Sequence, residues 1–147
     1  MDLLADLFER QATLNDAVFQ KRSIRGEDGQ ILSMSDLLAK AKSGGVLPPS
    51  DTARWLSGYL KALMEEGREL SEELPWKWWS KETLDMEAIR VEIVDMLHFW
   101  ISLALVSGMD AAEVHRLYLL KNEVNHRRQD SGYDASTKTG RDDLHVR

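Results

Sequence analysis

The stretch from Ile89 to Leu103 constrains this chain more than any other. It is apolar nearly all the way round, through Val91, Ile93, Val94, Met96, Leu97, Phe99, Trp100, Ile101 and Leu103. A helix with no polar side belongs in the middle of something. Yet Glu92, Asp95 and His98 interrupt it, three residues apart each time, and positions i and i+3 share a helix face. An unpaired buried carboxylate is costly, so these acids must be protonated, paired with cations or bound to a metal. Few lysines or arginines fall on matching inner faces nearby, which favours metal. His98 taken alone fits a satisfied core histidine better than a ligand.

A second acidic pair precedes it. A helix is expected from about Thr52 to Glu73, capped by Ser50 or Asp51 and ended by Pro75. Trp55, Tyr59, Leu63 and Leu70 mark its inner side. Lys61, Glu65, Arg68 and Glu72 alternate in charge along another face, as a solvated, salt-bridged surface does. Glu66 and Glu69 fall on the inner stripe instead, with Glu73 extending the line. Two such helices packed together place Glu66, Glu69, Glu92 and Asp95 around one cavity, and oxygen-rich cavities suit Mg²⁺ or Mn²⁺. Between them runs Trp76-Lys77-Trp78-Trp79. Three indoles in four residues cannot all be core, because each N–H needs a partner. They could floor a pocket with Lys77 near a phosphate, plug the gap between helices, or sit in an oligomer interface.

Three further helices are expected. The first runs from about Leu3 to Gln20 on a stripe of Leu3, Leu4, Leu7, Phe8, Leu14, Val18 and Phe19. Gln11 and Asn15 lie on that stripe one turn apart. They are either satisfied core amides or the readers of a polar ligand's edge. A short helix runs from Met34 to about Lys42, capped by Ser33 and stopped by Gly44 and Gly45, with Pro48 and Pro49 as a stiff joint beyond. The last, from the capping box Asp110-Ala-Ala-Glu113 to about Gln129, carries Lys121, Asn125 and Arg128 on its apolar stripe, a cationic strip suited to phosphates.

The whole reads as an all-α protein of four to five main helices. Its 147 residues suffice for one domain with a real core, expected over 1–133, with a polar tail over 134–147. The net charge of −6 comes with no basic block, which excludes a wide nucleic-acid footprint. No cysteine is present, so disulfides and thiolate metal sites are excluded. The most apolar run, Ile101 to Val106, is too short to cross a bilayer. A soluble, cytoplasmic protein with no membrane or nucleic-acid polymer as partner is the expectation.

Together these elements resemble the MazG-like superfamily of all-α nucleotide pyrophosphohydrolases. Within it they resemble the dimeric, all-α (type 2) deoxyuridine triphosphatases of trypanosomatids, some bacteria and phages. The general part is the ExxE…ExxD pattern of Glu66, Glu69, Glu92 and Asp95. The narrower part is Gln11-Ala-Thr-Leu-Asn15, Glu69-Leu70 leading to Pro75-Trp76-Lys77-Trp78-Trp79, Val94-Asp95-Met96-Leu97-His98-Phe99, and Lys121-Asn122-Glu123-Val124-Asn125 with Arg128 to Tyr133. The chain is shorter than the protozoan members and closer to the compact phage and bacterial forms. Its region from Ile24 to Pro49 matches no motif of the family.

The resemblance implies a helical bundle working as a dimer or a higher oligomer. The four acids would hold two or three Mg²⁺, with Mn²⁺ as a possible substitute, against a triphosphate. Water would attack a phosphorus and release a nucleoside monophosphate and pyrophosphate, with Glu66 or Glu69 orienting or deprotonating that water. Gln11 and Asn15 would meet the base edge, with Trp79 and Phe99 packing around it. Lys77, His98, Lys121, Asn125, Arg128 and Tyr133 would contact sugar or phosphates. The implied substrate is dUTP. The alternatives are dCTP, or both nucleotides, and outside enzymology a non-catalytic helical interaction protein.

Overall fold

The computed structural model describes residues 2–44 and 50–130. Pro48, Pro49, Gly45, Tyr133 and the 134–147 tail lie outside the described residues. Among the described residues five helices run in order: α1 Leu3–Lys21, α2 Met34–Lys42, α3 Asp51–Glu73, α4 Met86–Val106 and α5 Ala111–Asp130. Among the described residues the only β feature is an isolated Arg25–Ile31 bridge. None of the helices is long and apolar enough to cross a membrane. The chain divides into two units, 1–109 and 110–147.

The helix starts follow local chemistry. Asp2, Ser33 and Asp85 each turn a side-chain oxygen onto the first-turn amides of α1, α2 and α4, satisfying donors a helix cannot satisfy internally. Neither expected cap of α3 is made. Ser50 occupies the N-cap position without a side-chain hydrogen bond, and Asp51 turns back to accept the Glu27 backbone N–H at 2.9 Å. That carboxylate explains Gly26, where an added Cβ would sit 2.7 Å from Asp51 Oδ2. Asp51 is buried and its bond to the Glu27 N–H is part-buried, so Asp51→Ala is expected to cost about 1 kcal/mol, read as a lowered urea midpoint.

Within the first unit α4 is the hub, touching α1, α2 and α3. Its C-terminal half is enclosed. Ile101, Ala104, Leu105 and Val106 are buried, and Val106, Phe19 of α1 and Met34 and Leu37 of α2 are among the most completely buried side chains. Each such apolar side chain contributes about 1.5–3 kcal/mol by leaving water. Gly108 ends α4 with φ of 90° and lies so close to α2 that a Cβ would come within 3.2 Å of the Ala41 carbonyl carbon. Asp16 of α1 binds α2 by accepting the Met34 N–H at 2.7 Å. A chain of rings, Phe19, Trp55, Tyr59 and Phe99, joins α1, α3 and α4 with successive centroids 4.8, 5.5 and 6.5 Å apart. Burial, with Asp16 adding to it, pushes the Tyr59 hydroxyl up to about 12.

Two expectations need correction. The N-terminal part of α4 is not enclosed on every side: Val91, Ile93, Val94, Leu97 and Trp100 are exposed in the single chain. The inward stripe of α1 is Phe8, Gln11, Asn15 and Phe19, while Leu3, Leu7, Leu14 and Val18 face outward. Both helices thus carry a second apolar face that the described residues leave exposed.

In the second unit, Asp110 accepts the Glu113 N–H at 2.9 Å. Glu113 also makes a two-point ion pair with Arg116, at 2.6 and 2.8 Å.

Candidate functional site

Helices α3 and α4 pack side by side, Tyr59 against Phe99 at one end and Glu69 near Glu92 further along, so they run antiparallel. Glu66 and Glu69 share a face of α3, one turn apart, and that face meets Glu92. Glu66, Glu69 and Glu92 each offer an oxygen, all within 4.8 Å of one another. Asp95 stands outside that tight group but close enough to act on Glu66 and Glu92.

Partial burial first, and then the neighbouring carboxylates, hold the Glu66 carboxyl above its usual range. Glu92 is raised in the same way, with Glu69, Asp95 and Glu73 as its neighbours. Among the described residues, Arg68 stands 3.9 Å from Glu69 and His98 3.9 Å from Asp95, at the outer limit of pairing. Arg68 is committed elsewhere, to Glu65 at 2.7 Å and to Glu72. This is the salt-bridged outer face expected of α3, with Lys61 exposed. The decisive atom is Glu92 Oε2, which is buried and has no hydrogen-bond partner among the described residues. Hard oxygen donors that repel one another and include an orphaned buried carboxylate oxygen fit a divalent cation such as Mg²⁺.

The amide pair lies further along α4, at Ser102, about two turns beyond Asp95. Gln11 and Asn15 are both buried, and Gln11 Nε2 donates to Asn15 Oδ1 at 3.0 Å. Both amides also donate to the Ser102 hydroxyl, at 3.3 and 2.9 Å. Gln11 remains accessible to a cavity of about 200 Å³ between α1 and α4, lined mainly by Leu7, Leu14, Val94, Leu97 and His98. His98 is exposed rather than core, and its Nδ1 donates to the Val94 carbonyl at 2.9 Å. Phe99 packs on Tyr59.

Trp76, Trp78 and Trp79 are all exposed, stacked edge to face on one another in the segment between α3 and α4. Lys77 lies over the Trp76 ring at 5.5 Å. The structure brings neither Trp79 nor Phe99 to the lining of the Gln11 cavity. Lys121, Asn125 and Arg128 form one stripe of α5, in the second unit.

The dUTPase family pattern matches residues 3–111. The chain belongs to that family. All four clustered acids and both amides of this dUTPase-family chain fall inside the match, whereas the α5 stripe falls outside it. The chain is 35% identical over 80 residues to a dCTP pyrophosphatase of Enterobacteria phage T4, an alignment covering 54% of this chain and 40% of the phage protein. It is 35% identical over 71 residues to a dCTP pyrophosphatase of Enterobacteria phage LZ5, covering 40% and 41% respectively. The chain thus spans about two fifths of the length of these curated relatives. No solved structure matches it.

Sequence reasoning about this family member missed Ser102. Its signal was faint, a lone hydroxyl one turn beyond His98 in an apolar run.

Proposed function

We propose that the protein is a Mg²⁺-dependent nucleotide pyrophosphohydrolase that converts dUTP and water to dUMP and pyrophosphate. The convergence of Glu66, Glu69 and Glu92, with the orphaned Glu92 oxygen among them, carries the reading. Glu69, Glu92 and Asp95 hold the metal with Glu66. When bound there, Mg²⁺ supplies charge neutralisation along the triphosphate and acidifies water. Glu66, whose carboxyl is held above its usual range by burial and then by its acidic neighbours, is assigned to orient the attacking water and take its proton. The amides sit near Ser102, ten residues along α4 from Glu92, or about 15 Å along the helix axis. Phosphates at the acids and a base at Gln11 and Asn15 would therefore occupy two ends of one elongated ligand. Lys77, His98, Lys121, Asn125, Arg128 and Tyr133 are assigned to sugar and phosphates, and Trp79 and Phe99 to the base.

The test is pyrophosphate release from eight ribo- and deoxynucleoside triphosphates, with and without Mg²⁺. Selectivity for dUTP that requires the metal is expected. Activity shared with or shifted to dCTP would install the second reading, which the names of the two phage relatives favour. Inactivity on all eight with metal present would overturn the enzyme assignment in favour of an interaction protein.

The same reading makes the protein a homodimer. The uncovered faces of α1 and α4, with Leu3, Leu7, Leu14, Ile93, Leu97 and Trp100 in water, support it, since apolar patches of this kind mark association surfaces. Sedimentation is expected to give twice the chain mass, and a monomer at assay concentration would overturn the shared site.

A further inference from the structure

Ser102 is wholly buried, at 0% exposure, on the side of α4 that faces α1. A hydroxyl has one hydrogen and two lone pairs. Its hydrogen goes to the His98 carbonyl at 3.0 Å, because a carbonyl can only accept. Only acceptor capacity is left, and two amides face it. Both must therefore present NH₂ to Ser102, since the flipped arrangement would set oxygen against oxygen with no hydrogen between. The second Gln11 hydrogen goes to Asn15 Oδ1. Outside this network remain the Gln11 carbonyl oxygen and one Asn15 N–H, in a fixed order.

We propose that Ser102 is a positioning residue for base selection: it locks Gln11 and Asn15 in one amide orientation and so confines them to one pyrimidine edge. This rests on the reading above that the two amides meet the base. Uracil offers a ring N–H between two carbonyl oxygens. Cytosine offers an exocyclic NH₂ beside a bare ring nitrogen. A primary amide that turns by 180° exchanges donor for acceptor and can serve either base, whereas one held by Ser102 cannot. Discrimination then comes from the unpaired polar group left by the wrong base.

The test compares Ser102→Ala, which removes the hydroxyl, with Ser102→Thr, which keeps it, and Ser102→Cys, which keeps the volume with a weaker acceptor. Steady-state kinetics with dUTP and dCTP are paired with calorimetric binding of dUMP and dCMP. Ser102→Ala and Ser102→Cys are expected to shrink the ratio of kcat/KM between the two bases by about tenfold, through KM and not kcat, and to narrow the monophosphate affinities alike. Ser102→Thr should retain the wild-type ratio. A packing defect alone would weaken both bases equally and leave the ratio standing, which would overturn the proposal. An unchanged ratio in Ser102→Ala beside a changed one in Asn15→Ala sinks the role of Ser102 but keeps the base reading. Unchanged ratios in Asn15→Ala and Gln11→Ala, or no wild-type binding of either monophosphate, sink both.

Discussion

Glu92→Gln is expected to lower Mg²⁺-dependent pyrophosphate release by at least about a hundredfold, with the helical fold intact. The substitution keeps the shape of the side chain and deletes its charge. Glu92 is the acid through which α4 reaches Glu66 and Glu69, and its Oε2 finds no donor among the described residues. A buried carboxylate oxygen left unsatisfied costs free energy unless it is protonated or bound by something outside the chain. Removing one hard anionic ligand weakens a divalent site steeply, because Mg²⁺ relies on carboxylates and phosphates rather than on softer donors. Glu65→Gln, on the salt-bridged outer face of the same helix as Glu66, should stay within about twofold of wild type, since an exposed pair contributes little. The pair is read by initial rates across a Mg²⁺ titration. Full activity in Glu92→Gln at every concentration would remove α4 from the metal site.

The contrast between Glu65 and Glu66 was legible in the sequence because charge alternation marks a solvated face and an apolar stripe marks the inner one. The same logic misled on α1 and α4. Leu3, Leu7, Leu14 and Val18 looked like core and face water, while the polar Gln11 and Asn15 are buried. Periodicity reports which face is apolar, not what covers it, and a surface kept apolar for another chain reads identically to a core. Long-range partnerships were hidden for a different reason. Asp51 has the form of a helix cap but satisfies a backbone N–H 24 residues upstream. Ser102 bonds side chains 87 and 91 residues away. No local pattern encodes a partner at that distance, because the fold alone supplies it.

Without metal, the same acids should weaken the protein, and this gives the second large expected effect. The Glu66 and Glu92 carboxyls are held above their ordinary value of 4.5, by burial first and by their acidic neighbours second. The folded state therefore binds protons more tightly than the unfolded one between 4.5 and those raised values. Stability contributed by these groups falls as pH rises through that window, and above it the destabilisation is complete. Glu65 works in the opposite sense: Arg68 lowers its pKa, so its contribution is present above the unfolded value and lost on acidification. The difference between wild type and Glu66→Gln isolates the site from such groups. In chelator at pH 7 the variant should melt a few degrees higher than wild type, and the difference should close as pH falls toward 4.5. Saturating Mg²⁺ should reverse the order: a ligand at a hundred times its Kd adds about 2.7 kcal/mol, worth roughly 10 °C in a chain of this size. Glu66→Gln should forfeit most of that gain. Equal melting temperatures for the two proteins in chelator, together with an equal rise in Mg²⁺, would mean that Glu66 neither repels its neighbours nor holds the ion.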